Sequence, residues 1–386
     1  MIAGFVLTLI ALIIATIGTL LTSIQALLTR SFRRRPRPFG NGLREQAFRR
    51  DASFISILKP VCGLDDELEE NLVSFTQLRG IEYEVILSAE SHDDPALEVV
   101  DRVLRAHPDA PFRVVIDPGS RSGVVNRKVE RLIAASRVAR GDVLLISDSN
   151  VRVEPDDVRN TLTSFTSERI GCVSNLFTGA GARTLGATIE SLHLLGFVVP
   201  GAVLASAARV PCVVGKSMAI TRRALDAIGG FEAFRHVLAE DQAIGLAVKA
   251  AGFDVVLSPV VVRNVVVDRS VKRALDRQIR WNKIRYSFSH KLYAAEVLAN
   301  PLPFALISPI AFAIVLVARC VQMAILNRAT RAGLSWWQIA RTPLLDLLML
   351  YAWFVPFFSN TVTWRGYTAK IGRGTELIQI PIAEAA

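Results

Sequence analysis

The sequence predicts an α/β fold: a mixed, mostly parallel sheet flanked by helices, with one N-terminal and about two C-terminal membrane helices. Three observations predict it. An uncharged apolar run opens the chain, a central stretch alternates apolar runs of strand length with helical patterns, and two further apolar runs close it. Composition points the same way, since 51% of the 386 residues are hydrophobic, above ordinary soluble usage.

Residues 1–29 contain no charged side chain. At about 1.5 Å of helical rise per residue, such a run crosses a bilayer of roughly 30 Å. A cleaved signal peptide is the rival reading, but a basic leading segment is missing and the run exceeds the roughly 7–15 apolar residues usual there. A transmembrane anchor is therefore expected. Residues 30–52 follow as a basic linker, with eight arginines between Arg30 and Arg50 against Glu45, and with Pro36, Pro38, Gly40 and Gly42 interspersed. Basic flanks stay on the cytoplasmic side and rest on anionic headgroups. The net charge of +10 thus points to the lipid bilayer as partner; without interleaved aromatics or recognisable motifs, no nucleic acid is expected.

Residues 53–270 carry the soluble domain. The runs 54–58, 84–88, 113–116 and 143–147 are apolar, of strand length, and each is followed by polar or turn residues. That alternation implies a parallel sheet covered on both faces, in which ligands bind beyond the carboxyl ends of the strands. The first run ends in Lys59-Pro60-Val61-Cys62-Gly63, the second in Glu90-Ser91-His92-Asp93-Asp94, and the fourth in Asp148-Ser149-Asn150. Further on, 241–251 reads as a helix closed by Gly252, which puts Glu240 and Asp241 at its amino end.

Between these lies 184–210, unusually apolar for a soluble domain and readable either as core or as a mouth facing lipid. In 271–298, Arg277, Arg280 and Trp281 stand at i, i+3, i+4 and share one helical face. Trp281, Ile284, Phe288 and Leu292 form an apolar stripe, and Lys272 to Lys291 carries seven basic residues with Asp276 as its one acid; this predicts a basic amphipathic helix lying on the membrane. Residues 299–386 hold the C-terminal membrane segments and tail. The runs 302–326 and 343–362 are broken only by Arg319 and Asp346 respectively, which are expected to face each other or a functional lining. A simple in-out-in course would leave Arg328, Arg331 and Arg341 outside, so re-entrant burial is an alternative.

Two nucleotide motifs fail on inspection. Gly215-Lys216-Ser217 imitates the end of a P-loop, but Val210 stands where the first glycine is needed. Gly179-Ala180-Gly181 follows no expected strand and lacks the third glycine. The cysteines, 62, 172, 212 and 320, are scattered without metal-ligand spacing.

With Asp94, Asp148, Asp241 and Arg277-Gln278-Ile279-Arg280-Trp281 in order, the chain resembles family 2-type glycosyltransferases, and most of all the ceramide glucosyltransferases of glycosyltransferase family 21. That pattern is three separated aspartates and a (Q/R)xxRW element. The resemblance implies a GT-A-type fold, a UDP-sugar donor and a ceramide-like membrane lipid acceptor. It also implies donor-binding roles for Lys59, Pro60, Gly63, Asn126 and Lys128, and a divalent cation, Mg2+ or Mn2+, at Asp148. Here the chain departs from the wider DxD motif: Asp148-x-Asn150 offers one carboxylate fewer to a hard cation. The catalytic domain is expected on the cytoplasmic side of a bacterial inner membrane.

The chemistry of the residues stands beside the resemblance. Glu90, Asp93 and Asp94 suit hydrogen bonds to uracil and ribose, or a helix cap before Ala96. Lys128 suits a diphosphate as a point charge, or a solvated helix face. Asp148 suits the ribose or a cation that neutralises the leaving group. Asp241, favoured in its ionised form by the helix dipole, suits a general base that takes the proton of a lipid hydroxyl, with inversion by direct displacement. Arg277 and Arg280 suit the departing diphosphate, and Trp281 the sugar or acceptor. All of these are expected to meet in one pocket open to lipid. The expected reaction moves a hexose, glucose foremost, to the primary hydroxyl of ceramide; alternatives are a hopanoid, sterol, diacylglycerol or polyprenyl phosphate acceptor, or a catalytically silent membrane scaffold.

Overall fold

The computed structural model describes residues 2–34, 54–119, 125–364 and 367–379. From residue 35 onward, the expected basic linker lies outside the described residues. In chain order the elements are α1 (Ile2–Arg34), β1 (Ile55–Pro60), α2 (Leu68–Val73), β2 (Tyr83–Ala89), α3 (Ala96–Ala106), β3 (Phe112–Ile116), α4 (Arg127–Val138), β4 (Val143–Ser147), β5 (Val151–Arg152), α5 (Asp157–Leu162) and β6 (Ile170–Ala180). They continue as α6 (Leu185–His193), α7 (Val199–Ala207), β7 (Ser217–Thr221), α8 (Arg222–Ala227), α9 (Glu240–Ala250), β8 (Asp254–Val265), α10 (Val271–Phe288), α11 (His290–Ala295) and α12 (Leu302–Ala305). Last come α13 (Pro309–Thr330), α14 (Trp336–Ile339), α15 (Thr342–Phe354), β9 (Thr361–Trp364), β10 (Tyr367–Ile371) and β11 (Leu377–Gln379). The chain divides into two compact units, one of Arg35–Phe177 and Ala205–Val266, the other of Met1–Arg34, Thr178–Leu204 and Val267–Ala386.

The first unit is built on a sheet of order β3-β2-β1-β4-β7-β6-β8-β5 among the described residues. The four expected runs are β1 to β4, paired parallel. Next to them β7 runs antiparallel to β4, with Ser147 opposite Ser217, and β6 runs antiparallel to β7. Strand β1 is buried along its whole length, as a run without polar alternation requires when both faces are covered. Leu58, Ile86, Ile146 and Met218 pack against Val129, Leu132 and Ile133 of α4 and Ile244 and Val248 of α9 in one apolar core. Two chemical signals set the helix starts and stops that matter here. The Asn126 side chain accepts from the Lys128 and Val129 amides and so begins α4, and Gly252, at φ +88°, lies just beyond the end of α9.

The second unit is helical and carries a small antiparallel sheet of order β11-β10-β9. Helix α1 runs to Arg34 rather than stopping at Thr29, so Arg30, Arg33 and Arg34 belong to a helix about 50 Å long. Its hydroxyls are satisfied within the helix: those of Thr8, Thr16, Thr19, Thr22 and Thr29 each donate to the carbonyl four residues earlier. That is how an apolar span tolerates threonine. The run 302–326 is not one helix, because Ser308 caps a new start, with Pro309 in the first helical turn of α13. Ala26, Ile189, Leu192, Met323, Leu345 and Met349 form a shared core of α1, α6, α13 and α15.

Among the described residues, four helices are long and apolar enough to cross a membrane: Gly4–Arg34, Leu185–Ala207, Pro309–Thr330 and Trp336–Phe357. The fourth candidate beyond the expected three is the apolar stretch around α6 and α7. It is mostly buried, as core would be, and a π-helical turn at Leu194–Val198 joins its halves. Gly186 fits its packing at close quarters, since a Cβ there would meet the Arg269 carbonyl oxygen at 2.2 Å.

Residues 271–298 do not form one continuous helix. Helix α10 ends at Phe288, where Ser289 caps the next helix, and its buried face is polar: Arg277, Gln278, Asn282 and Lys283 are buried beside Ala274. The stripe residue Leu292 is 73% exposed. Partners within the unit hold the buried polar side chains. Lys283 donates to the Thr361 carbonyl and the Ser359 hydroxyl, and Arg277 pairs with Glu190.

Candidate active site

In the first unit the strand ends gather charge around Asp148. One carboxylate oxygen lies 2.9 Å from Lys128 Nζ and the other 2.9 Å from Lys216 Nζ. Lys128 also sits 2.9 Å from Glu240 Oε1 and donates to the Gly215 carbonyl, while Lys216 donates to Asn150 Oδ1. Glu240 is held from its other side by the Asn126 amide at 3.0 Å. Beneath Asp148, the wholly buried Lys59 donates to the Asp148 and Val151 carbonyls. Its ammonium lies 4.1 Å from the Phe75 ring centroid. Burial, opposed by Asp148, pushes it down to about 7.

Asp241 joins this cluster from the first turn of α9. Its carboxylate accepts from the Gly215 and Gln242 amides. Gly215 is packed closely: a Cβ there would stand 2.9 Å from Lys128 Nζ and 3.0 Å from Asp241 Cβ, so any side chain would press on both. Burial first, and the neighbouring Glu240 charge second, push Asp241 up to about 6 against the pull of Lys128. The pull of the helix end toward the ionised form is thus opposed by burial and by Glu240, and a carboxylate at about 6 is still mostly ionised at neutral pH. Lys128 and Asp148 behave oppositely. Burial disfavours both charges, yet Asp148, Glu240 and Asp241 hold Lys128 well above its usual value, and the two lysines hold Asp148 well below its own.

The remaining expected donor residues are placed as follows. Asp94 Oδ1 accepts from the Gly63 amide at 2.8 Å and the Ala96 amide at 3.0 Å, so it braces the glycine turn after β1 and the start of α3 together. Gly63 has φ +67° and open space where a Cβ would be. Pro60 ends β1. Glu90 is paired with Arg127 and Arg131 of α4. Asn126 is a helix cap that also ties α4 to the Val237 carbonyl and Glu240.

In the second unit, Glu190 of α6 is 1% exposed and faces two guanidinium groups, Arg269 and Arg277 Nη1, the latter at 2.9 Å. Arg277 in turn lies over the Trp281 ring, 4.0 Å from its centroid. His193 stacks on Phe197 and meets the Trp281 edge at 6.1 Å. Arg280 is partly buried. Glu190 is shared between two guanidinium groups and so offsets the Arg277 charge only in part, while Arg277 packs against the Trp281 ring. Sequence reasoning missed Glu190 and Lys216. A lone acid inside an apolar helix is a usable signal for the first, since a buried charge demands a partner. Glu190→Gln is expected to lower stability by about 2 kcal/mol by leaving Arg269 and Arg277 short of a counter-charge; thermal unfolding of the detergent-solubilised protein measures it.

A divalent cation at Asp148 is tested by the donor set. Both carboxylate oxygens already accept an ammonium, and Asn150, which stands where a second carboxylate would, accepts Lys216. Among the described residues no group of three or more His, Cys, Asp or Glu side chains is arranged to hold a metal. These residues do not fit a hard divalent cation.

The Glycosyl transferase family 21 model matches residues 5–377; the chain belongs to that family. Two similar proteins are from Caenorhabditis elegans. Ceramide glucosyltransferase 1 is 28% identical over 254 residues, 66% of this chain and 54% of that one. Ceramide glucosyltransferase 3 is 27% identical over 254 residues, 66% of this chain and 55% of that one. The match thus spans about half the length of these relatives. Among solved structures, the mannosyltransferase of Pyrobaculum calidifontis, in complex with GDP-Man and Mn2+, superposes with a TM-score of 0.54 at 18% identity, covering 91% of this chain and 99% of that one. That likeness identifies the fold as the GT-A type.

Proposed function

We propose that the protein transfers a hexose, glucose foremost, from a UDP-sugar to the primary hydroxyl of a ceramide-like membrane lipid, with inversion, at the cytoplasmic face of a membrane. One observation carries the reading. Asp241, raised to about 6 by burial and by Glu240, lies within reach of the Lys128 ammonium, and Lys128 shares the Asp148 carboxylate with the ammonium of Lys216; such ammonium groups suit a diphosphate. Family membership supports transferase chemistry, and the nematode relatives' name supports ceramide as acceptor.

In this reading the lipid hydroxyl oxygen attacks the anomeric carbon opposite the diphosphate. The bond between that carbon and the diphosphate oxygen breaks, and the electron pair leaves with UDP. Asp241 takes the hydroxyl proton. Asp94 with Glu90 serves the uridine end, with the Lys59-Pro60 strand end and the Gly63 turn beside them. Membranes containing the protein, incubated with labelled UDP-glucose, UDP-galactose or UDP-N-acetylglucosamine and a lipid panel, test this. Label is expected in a ceramide product with UDP-glucose; label in no lipid with any donor overturns the reading.

A further inference from the structure

The mismatch between Asp148 and a hard cation has a chemical consequence. We propose that Lys128 and Lys216 replace the divalent cation, so that the donor diphosphate binds, and its departing charge is met, by two ammonium groups alone. The inference rests on the UDP-sugar reading and goes beyond it.

Three features on different elements converge. Lys128 comes from the first turn of α4, Lys216 from the entry to β7, and Asp148 from the end of β4, and the carboxylate spans both ammoniums at 2.9 Å. The lysine side chains keep 14% and 16% of their surface exposed, with Asp148 at 22%, so the pair is fixed in place yet open to an incoming anion. Asn150 replaces a carboxylate and holds Lys216 by its amide oxygen at 2.9 Å. A neutral oxygen there positions a cation without cancelling it.

Magnitudes decide between the occupants. Two unit charges about 4 Å apart interact by roughly 4 kcal/mol near a protein surface. A divalent ion on Asp148 would meet about twice that repulsion from each ammonium and would have to displace both from the carboxylate, while a diphosphate oxygen is attracted by each ammonium, less the repulsion of the Asp148 and Glu240 carboxylates. Asp148, Glu240 and Asp241 hold the Lys128 charge across the physiological range, so the ammonium is not lost by titration.

The test uses the full chain in detergent, stripped with a chelator and checked for metal by elemental analysis. UDP binding is measured by calorimetry without metal and with added Mg2+ or Mn2+, and uridine serves as the probe lacking phosphate. Wild-type affinity for UDP is expected to change by less than about twofold on adding metal. Lys216→Met should weaken UDP binding by about tenfold or more yet leave uridine binding unchanged, and Lys216→Arg should retain most of the affinity. Tightening of wild-type binding by about tenfold with Mg2+ or Mn2+ overturns the inference. So does Lys216→Met binding UDP as the wild type does, or losing UDP and uridine equally. If wild-type protein binds UDP under neither condition, the donor reading itself fails and this inference falls with it.

Discussion

Asp241→Asn is expected to lower turnover by about a hundred- to ten-thousand-fold, the range a positioned general base contributes, with UDP binding intact. The argument starts from the environment of the carboxylate. Its value is pushed up to about 6 by burial and by Glu240, and a base works only when ionised. The rate should therefore climb with pH through about 6 and fall away below it, and that limb should vanish in the variant. Stability should move the other way. The folded value lies above the 3.8 of a free aspartate, so the folded state binds the proton more tightly, and the stability this contributes at low pH is lost as pH rises from about 3.8 to about 6. An amide carries no such cost but turns its NH2 toward one of the two backbone amides that the carboxylate now accepts from, so Asp241→Asn should unfold close to the wild-type temperature. Wild-type turnover in Asp241→Asn, or a pH profile flat through 6, would remove the base assignment.

Breaking the Arg319–Asp346 pair should have the largest effect on stability. Arg319 of α13 and Asp346 of α15 are 1% and 0% exposed, and the guanidinium donates through Nε and Nη2 to the two carboxylate oxygens at 2.9 Å each. Arg319 Nη1 donates to Gln322, whose amide donates to Ser23 of α1. One polar chain thus links three of the long apolar helices. Asp346→Leu or Arg319→Met alone leaves a buried charge without its partner, which costs about 3–5 kcal/mol. The double replacement removes both charges and should recover most of that loss. Thermal unfolding and folded yield in detergent read the outcome, and a double variant as unstable as the worse single one would count against the account.

This pair was legible in the sequence, because a charge inside an apolar run has few ways to be satisfied. So were β1 to β4 and the carboxylates at their ends, since uninterrupted apolar runs followed by turn residues have few rivals. The turn of direction at β7 was not. Its residues, Ser217 to Thr221, carry no long apolar run, and Gly215-Lys216-Ser217 drew attention as a failed P-loop while its lysine belonged to Asp148. Periodicity showed the stripe of Trp281, Ile284, Phe288 and Leu292 but not which polar residues of α10 would be buried; Arg277, Gln278, Asn282 and Lys283 are. The metal expectation came from resemblance; only the side-chain geometry revealed that Asp148 is already spoken for.

Strand β7 runs against its neighbour β4, so the chain enters the cluster at Gly215 and Lys216 instead of leaving it there. Gln242 clamps this approach by accepting from the Val213 amide and donating to the Pro211 carbonyl. Pro211 to Gly215 precede the strand and are held by Gln242 and Asp241, so an insertion or deletion there would shift Gly215 and Lys216 away from Asp241 and Asp148. That short stretch works as a ruler. Evolution and engineers alike are free to change its letters far more readily than its length.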